Sequence, residues 1–173
     1  MQNNIIVYYD IQDFLSSELS SLTNLQISLN NYLIGDEGAQ KLGLGLAQCT
    51  NLSSLTLYLE RNLIGVQGVS ILSSSLAKFS NISFLSLDLR YNPLQNEGVS
   101  ILASSLAQCS KLSTLTLDLR QNSIGDSGAS NLSYSLNQCP NLSTLTIYFR
   151  NSEENCLKSK GQFKKQQNYH HTE

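Results

Sequence analysis

The chain is 173 residues long, one domain's worth, with 40% hydrophobic residues, 14% charged residues and a formal net charge of −2. That balance argues against a nucleic-acid binder working through a broad basic field. The only histidines, His170 and His171, sit in the last few positions, so no converging metal-ligand set and no cofactor is expected.

Residues 1–21 read as an N-terminal capping segment. The start, Met1 to Asp10, has no basic stretch and only the short apolar run Ile5 to Tyr9, so it is neither a secretory signal nor a membrane span. An intracellular, cytoplasmic location is therefore the expectation, and the sequons at Asn51, Asn81, Asn131 and Asn141 are read as unmodified. Ile5 to Tyr9 is expected to add a strand. Asp10 is a candidate N-cap for a helix that carries Ile11, Phe14, Leu15 and Leu19 on one face.

From residue 22 to residue 150 the chain repeats itself every 30 residues. The stretch from Leu112 to Gly128 returns as Ile82 to Gly98, as Leu52 to Gly68 and, more weakly, as Leu22 to Gly38. A fifth copy starts at Leu142 and stops after Arg150. Such a period means stacked units, none of which buries its apolar face alone.

Each repeat has two halves. Leu115, Leu117 and Leu119 alternate with polar residues, the pattern of a strand with one buried face. Ala129, Leu132, Leu136 and Cys139 then fall on one helical face, and the same columns recur in the earlier repeats. Asp36, Asn96 and Asp126 stand just ahead of the expected helices as candidate N-caps, a pattern that Val66 breaks. Gly38, Gly68, Gly98 and Gly128 share a slot where helix and loop would approach closely.

Cys49, Cys109 and Cys139 share a slot that holds Phe79 in the remaining repeat, so they read as buried, reduced thiols in an apolar position. Residues 151–173 break the pattern and read as a polar, solvated C-terminal tail. The edge of the last strand is then either covered by that tail, through Leu157 and Phe163, or continued by further chain.

A 30-residue unit of one strand and one helix resembles the leucine-rich repeat, specifically its ribonuclease-inhibitor-like class. The resemblance rests on Leu112, Leu115, Leu117, Asn122, Ile124, Gly125, Gly128, Ala129 and Leu132, and covers roughly residues 20 to 150. It implies an α/β solenoid with a curved parallel sheet on the concave side and helices on the convex side. It also implies that Asn62, Asn92 and Asn122 form a structural ladder, failing at the ends where Tyr32 and Ser152 take the slot. One departure is systematic: an added residue pair ending in Leu59, Leu89, Leu119 or Phe149 lengthens each strand by two. Repeats with this insertion resemble arrays of single-celled eukaryotes, some appended to protein kinase domains.

In phase, the outward side chains of the strands form columns. One is Tyr58, Asp88, Asp118 and Tyr148; its neighbour is Glu60, Arg90, Arg120 and Arg150. Phe84 stands where other repeats carry Ser54, Thr114 and Thr144. Tyr and Arg anchor interfaces more often than other residues, so these nine are the candidate partner-binding residues. The alternative for Asp88 with Arg90 and Asp118 with Arg120 is cross-strand pairing that holds adjacent repeats in register.

No phosphate-binding glycine loop, kinase catalytic set or nucleophile elbow is present, so no catalytic residue is assigned. The function expected is a non-catalytic scaffold that binds a protein partner through the sheet face, with no nucleic acid, membrane or small-molecule substrate. The alternative is the regulatory part of a larger enzyme, a protein kinase or a Ran-type GTPase activator.

Overall fold

The backbone follows the change of period within each repeat. A computed structural model describes residues 4–149 and a strand at 156–160. Its elements are β1 (Ile6–Tyr8), α1 (Ile11–Leu15), a 3-10 turn (Leu19–Ser21), β2 (Asn24–Ser28), α2 (Gly35–Leu46), β3 (Ser54–Tyr58) and α3 (Val66–Leu76). They continue as β4 (Phe84–Asp88), α4 (Gln95–Leu106), β5 (Thr114–Asp118), α5 (Asp126–Leu136), β6 (Thr144–Tyr148) and β7 (Cys156–Lys160).

The strands form one open sheet in chain order, β1 to β6 parallel and β7 antiparallel to β6. Between repeats the register is one period, Leu57 against Leu87 and Leu87 against Leu117. In each strand from β2 to β6 the second and fourth residues are buried and the others are not. The buried set packs on the helices in a continuous core that includes Leu55, Leu85, Leu115, Leu72, Leu102 and Leu132. Burying such a side chain is worth about 1.5–3 kcal/mol, and in a stack much of that comes from neighbouring repeats.

The inserted residue pair does extend the strands' pairing. Beyond the last strand residue, the Leu59 N–H donates to the Asp88 carbonyl at 2.8 Å and the Arg61 N–H to the Arg90 carbonyl at 2.9 Å. Leu59, Leu89 and Leu119 are fully buried.

Where the chain then turns, the asparagines bond across repeats. Asn92 Oδ1 accepts from the backbone of Asn62 at 3.1 Å and Ile64 at 2.9 Å, while its Nδ2 donates to the Leu59, Leu89 and Arg90 carbonyls. Asn62 does the same for Tyr32 and Ile34. The ladder weakens one rung before its expected end. Asn122 donates to three carbonyls, but its buried Oδ1 accepts from none. Leu33, Leu63 and Ser123 are left-handed at the turn, whereas the third repeat has Pro93, whose ring forbids that conformation. Without a left-handed residue in that slot the Leu94 N–H is not delivered to Asn122. Ser152 lies outside the described residues.

The helix starts overturn the expected caps. Asp36 is inside α2 and does not cap it; its Oδ1 accepts from Gly65 N at 2.7 Å and Gly68 N at 2.9 Å, at the start of α3 in the next repeat. Asn96 accepts from Gly125 N at 2.8 Å, at the start of α5. Asp126 is exposed and makes no such bond among the described residues. Val66 breaks no pattern, because helix starts alternate. α3 and α5 begin after an extended glycine held by the preceding repeat's side chain. α2 and α4 begin at left-handed Gly35 and Gln95, whose N–H groups donate to the Asn62 and Asn122 carbonyls at 2.8 and 3.0 Å. The structural period is thus two repeats.

At the N-terminal end, Asp10 caps α1 as expected, accepting from the N–H groups of Gln12 and Asp13. The helix is shorter than the apolar spacing suggested, since Leu19 falls in the 3-10 turn. Cys49, Cys109 and Cys139 likewise lie past the ends of their helices, yet all three are buried and free. Burial pushes the Cys49 and Cys109 thiols up to about 11. The strand β7 falls in the stretch expected to be solvated tail and pairs along β6.

Candidate interaction face

The outward residues of β2 to β6 stand in the columns expected from the repeat. Tyr58 lies beside Asp88, Asp88 beside Asp118 and Asp118 beside Tyr148; Phe84 lies between Ser54 and Thr114. Neighbouring strands are about 5 Å apart, so side chains within a column touch or nearly touch.

The charged residues are joined in one line. The Arg90 guanidinium grips Asp88 with two bonds, Nε to Oδ1 at 2.9 Å and Nη2 to Oδ2 at 2.7 Å. The same Nη2 reaches Glu60 of the preceding repeat at 2.7 Å, and Nε lies 3.5 Å from Asp118 of the next. Arg120 repeats the fork on Asp118 at 2.9 and 2.7 Å, and its guanidinium carbon lies 5.4 Å from the Tyr148 ring centre. Glu60, Asp88 and Asp118 are mostly shielded from water. Asp88, with the other two carboxylates, holds the Arg90 guanidinium well above its ordinary pKa against some opposing desolvation.

Asp88 with Arg90, and Asp118 with Arg120, therefore pair within one repeat and not across strands as the alternative reading had it. Register-holding ion pairs across strands do exist, and Arg90 makes two of them. Glu60, one of the nine candidates, is bonded to Arg90 of the next repeat, a contact that follows from the rotamer of a long side chain. Arg150 lies outside the described residues.

Phe84 is 38% exposed on this polar surface. Sequence reasoning missed a second set of exposed apolar side chains on the strand-to-helix turns: Tyr32, Leu33, Leu63 and Tyr91. Arg61 lies over the Tyr91 ring at 4.5 Å. A comparison of the slot that reads Leu33, Leu63, Pro93 and Ser123 would have flagged the leucines, which stand left-handed and exposed in a turn.

Among the described residues no group of His, Cys, Asp and Glu is arranged to hold a metal ion, and no helix is long and apolar enough to cross a membrane. A family model described as Leucine Rich repeat matches residues 18–43, 80–103 and 111–133. No curated protein compared with the chain matches it significantly. The three matched stretches each lead from strand to helix in a different repeat, where the structure shows parallel strands alternating with helices in an open sheet. The chain is a leucine-rich-repeat protein.

Proposed function

We propose that this leucine-rich-repeat array, of the ribonuclease-inhibitor-like class, is a non-catalytic scaffold that binds a partner protein on the open sheet face. The observation that carries the reading is Phe84, a large apolar ring exposed on the same sheet face as a strip of charges already bonded to one another. Side chains held in place before binding lose little entropy on binding, and an aromatic on such a surface is a typical anchor. Among the described residues Glu60, Asp88 and Asp118 are balanced by Arg61, Arg90 and Arg120, so the strip carries no net charge and the exposed ring is the anchor. Acid–base catalysis is a poor fit, because Asp88 gives both oxygens to Arg90, and Asp118 gives both to Arg120.

The test is recovery of a partner from a lysate of the native source by the immobilised chain. Replacing Phe84 and Tyr58 together by serine should abolish recovery and leave the melting temperature within a degree or two. Equal recovery by the variant rejects this face.

A further inference from the structure

The first end of the helix stack is covered unevenly. α1 has five residues against twelve in α2, and it sits on the C-terminal part of α2, where a Cβ built on Gly45 would lie 2.6 Å from both Phe14 and Leu15. Towards the N-terminal end of α2 the described residues give no such cover. A cleft of about 230 Å³ opens there, with Ile11, Leu29, Ile34 and Gly38 among its walls and Tyr32 and Lys41 beside them.

Later repeats show what normally fills this place. A Cβ on Gly68 would meet Asp36 of the preceding repeat, one on Gly98 would meet Val69 at 3.0 Å and Val66 Cα at 3.8 Å, and one on Gly128 would meet Asn96. On Gly38 the three nearest atoms all belong to Ile34 of its own repeat. Ile64 and Leu94 in the inner repeats are fully buried, while Ile34 and Ile124 in the outer ones are only partly buried.

The chemistry of the missing cover follows from the alternation of helix starts. α2 begins as α4 does, at a left-handed residue whose N–H is already bonded to an asparagine carbonyl. α4 is covered by valines, whereas α3 and α5 are covered by a carboxylate and an amide that accept from backbone N–H groups. We propose that the cleft beside Gly38 is a docking seat for a valine-sized aliphatic side chain of a partner protein, presented from the first turn of a helix as Val69 of α3 is presented to α4. The seat is continuous with the surface by which repeats already stack, and Tyr32 and Leu33, 56% and 66% exposed, extend it outward. At this size it takes one or two side chains; sites for drug-sized ligands start at about 300 Å³.

The proposal does not depend on the sheet-face reading. The probe is a blocked peptide of residues 63–70, the segment that covers α4, titrated into the full ¹⁵N-labelled chain and followed by amide chemical shifts. Saturable shifts are expected at Gly38 and Lys41 with none at Gly98. The same peptide with Val66→Asp and Val69→Asp should give at least tenfold weaker binding. Gln12→Trp, a change at an exposed cleft-lining residue, should weaken the parent peptide by a similar factor, whereas Phe84→Ser should leave it unchanged. Shifts that stay linear in peptide concentration, an equal response to the aspartate peptide, or unaltered binding by the Gln12→Trp chain would overturn the assignment.

Discussion

Gly68 and Asp36 are fitted to each other across a repeat boundary: a Cβ on Gly68 would lie 2.5 Å from Asp36 Oδ1 and 3.0 Å from the Asp36 Cα. Gly68→Ala must push the capping carboxylate away, and should lower stability by about 1–3 kcal/mol, as overpacking does. Asp36→Ala should cost about 0.5–2 kcal/mol and Asp36→Asn much less, because Asn96 performs the same task at α5. Asp126→Ala should be neutral. Urea unfolding of the four variants checks the order.

The two inner asparagine rungs are unequal. Asn92→Ala removes both acceptor and donor bonds, whereas at Asn122 only the donor bonds exist to be lost. Asn92→Ala should therefore be the more destabilising, by about 1 kcal/mol or more. Equal midpoints and slopes in urea would contradict this.

Ser73 is buried in α3 with a hydroxyl that has no partner, in the slot that holds Gly43 in α2 and Ala103 in α4. Ser73→Ala removes an unsatisfied polar group and improves helix propensity. A gain of about 1 kcal/mol is expected, seen as a higher melting temperature.

Arg90 bridges three carboxylates, and Arg90→Met leaves them facing one another. The loss at pH 7 should be about 1–3 kcal/mol. Urea unfolding of the parent and the variant at pH 7 measures it. A midpoint equal to the parent's would contradict the bridging role.

The buried thiols give the chain a pH dependence. Burial holds Cys49 and Cys109 at about 11 against an ordinary 9.0, so the folded chain keeps protons that the unfolded chain releases. Their contribution is full below the ordinary value and is lost as pH rises through the folded one. The drop in melting temperature across that window should be smaller in a Cys49→Ala, Cys109→Ala chain than in the parent. At pH 8, iodoacetamide should leave Cys49, Cys109 and Cys139 unlabelled until urea unfolds the protein.

Much of this was legible in the repeat alone. The alternation at Leu115, Leu117 and Leu119, and its return every 30 residues, determined strand, stacking order and core, because a slot that is always apolar has only the inside of the stack to occupy. The slot shared by Cys49, Cys109, Cys139 and Phe79 located the buried thiols for the same reason. Comparing slots says where a residue sits within its repeat, but not whether its side chain turns to its own repeat, the one before or the one after. Contact with a neighbouring coil depends on backbone geometry at the turn, and there the tertiary structure decided. Asp36 proved to cap α3, Arg90 to bridge Glu60 and Asp118, Pro93 to leave Asn122 without a donor, and the short α1 to leave α2 half covered.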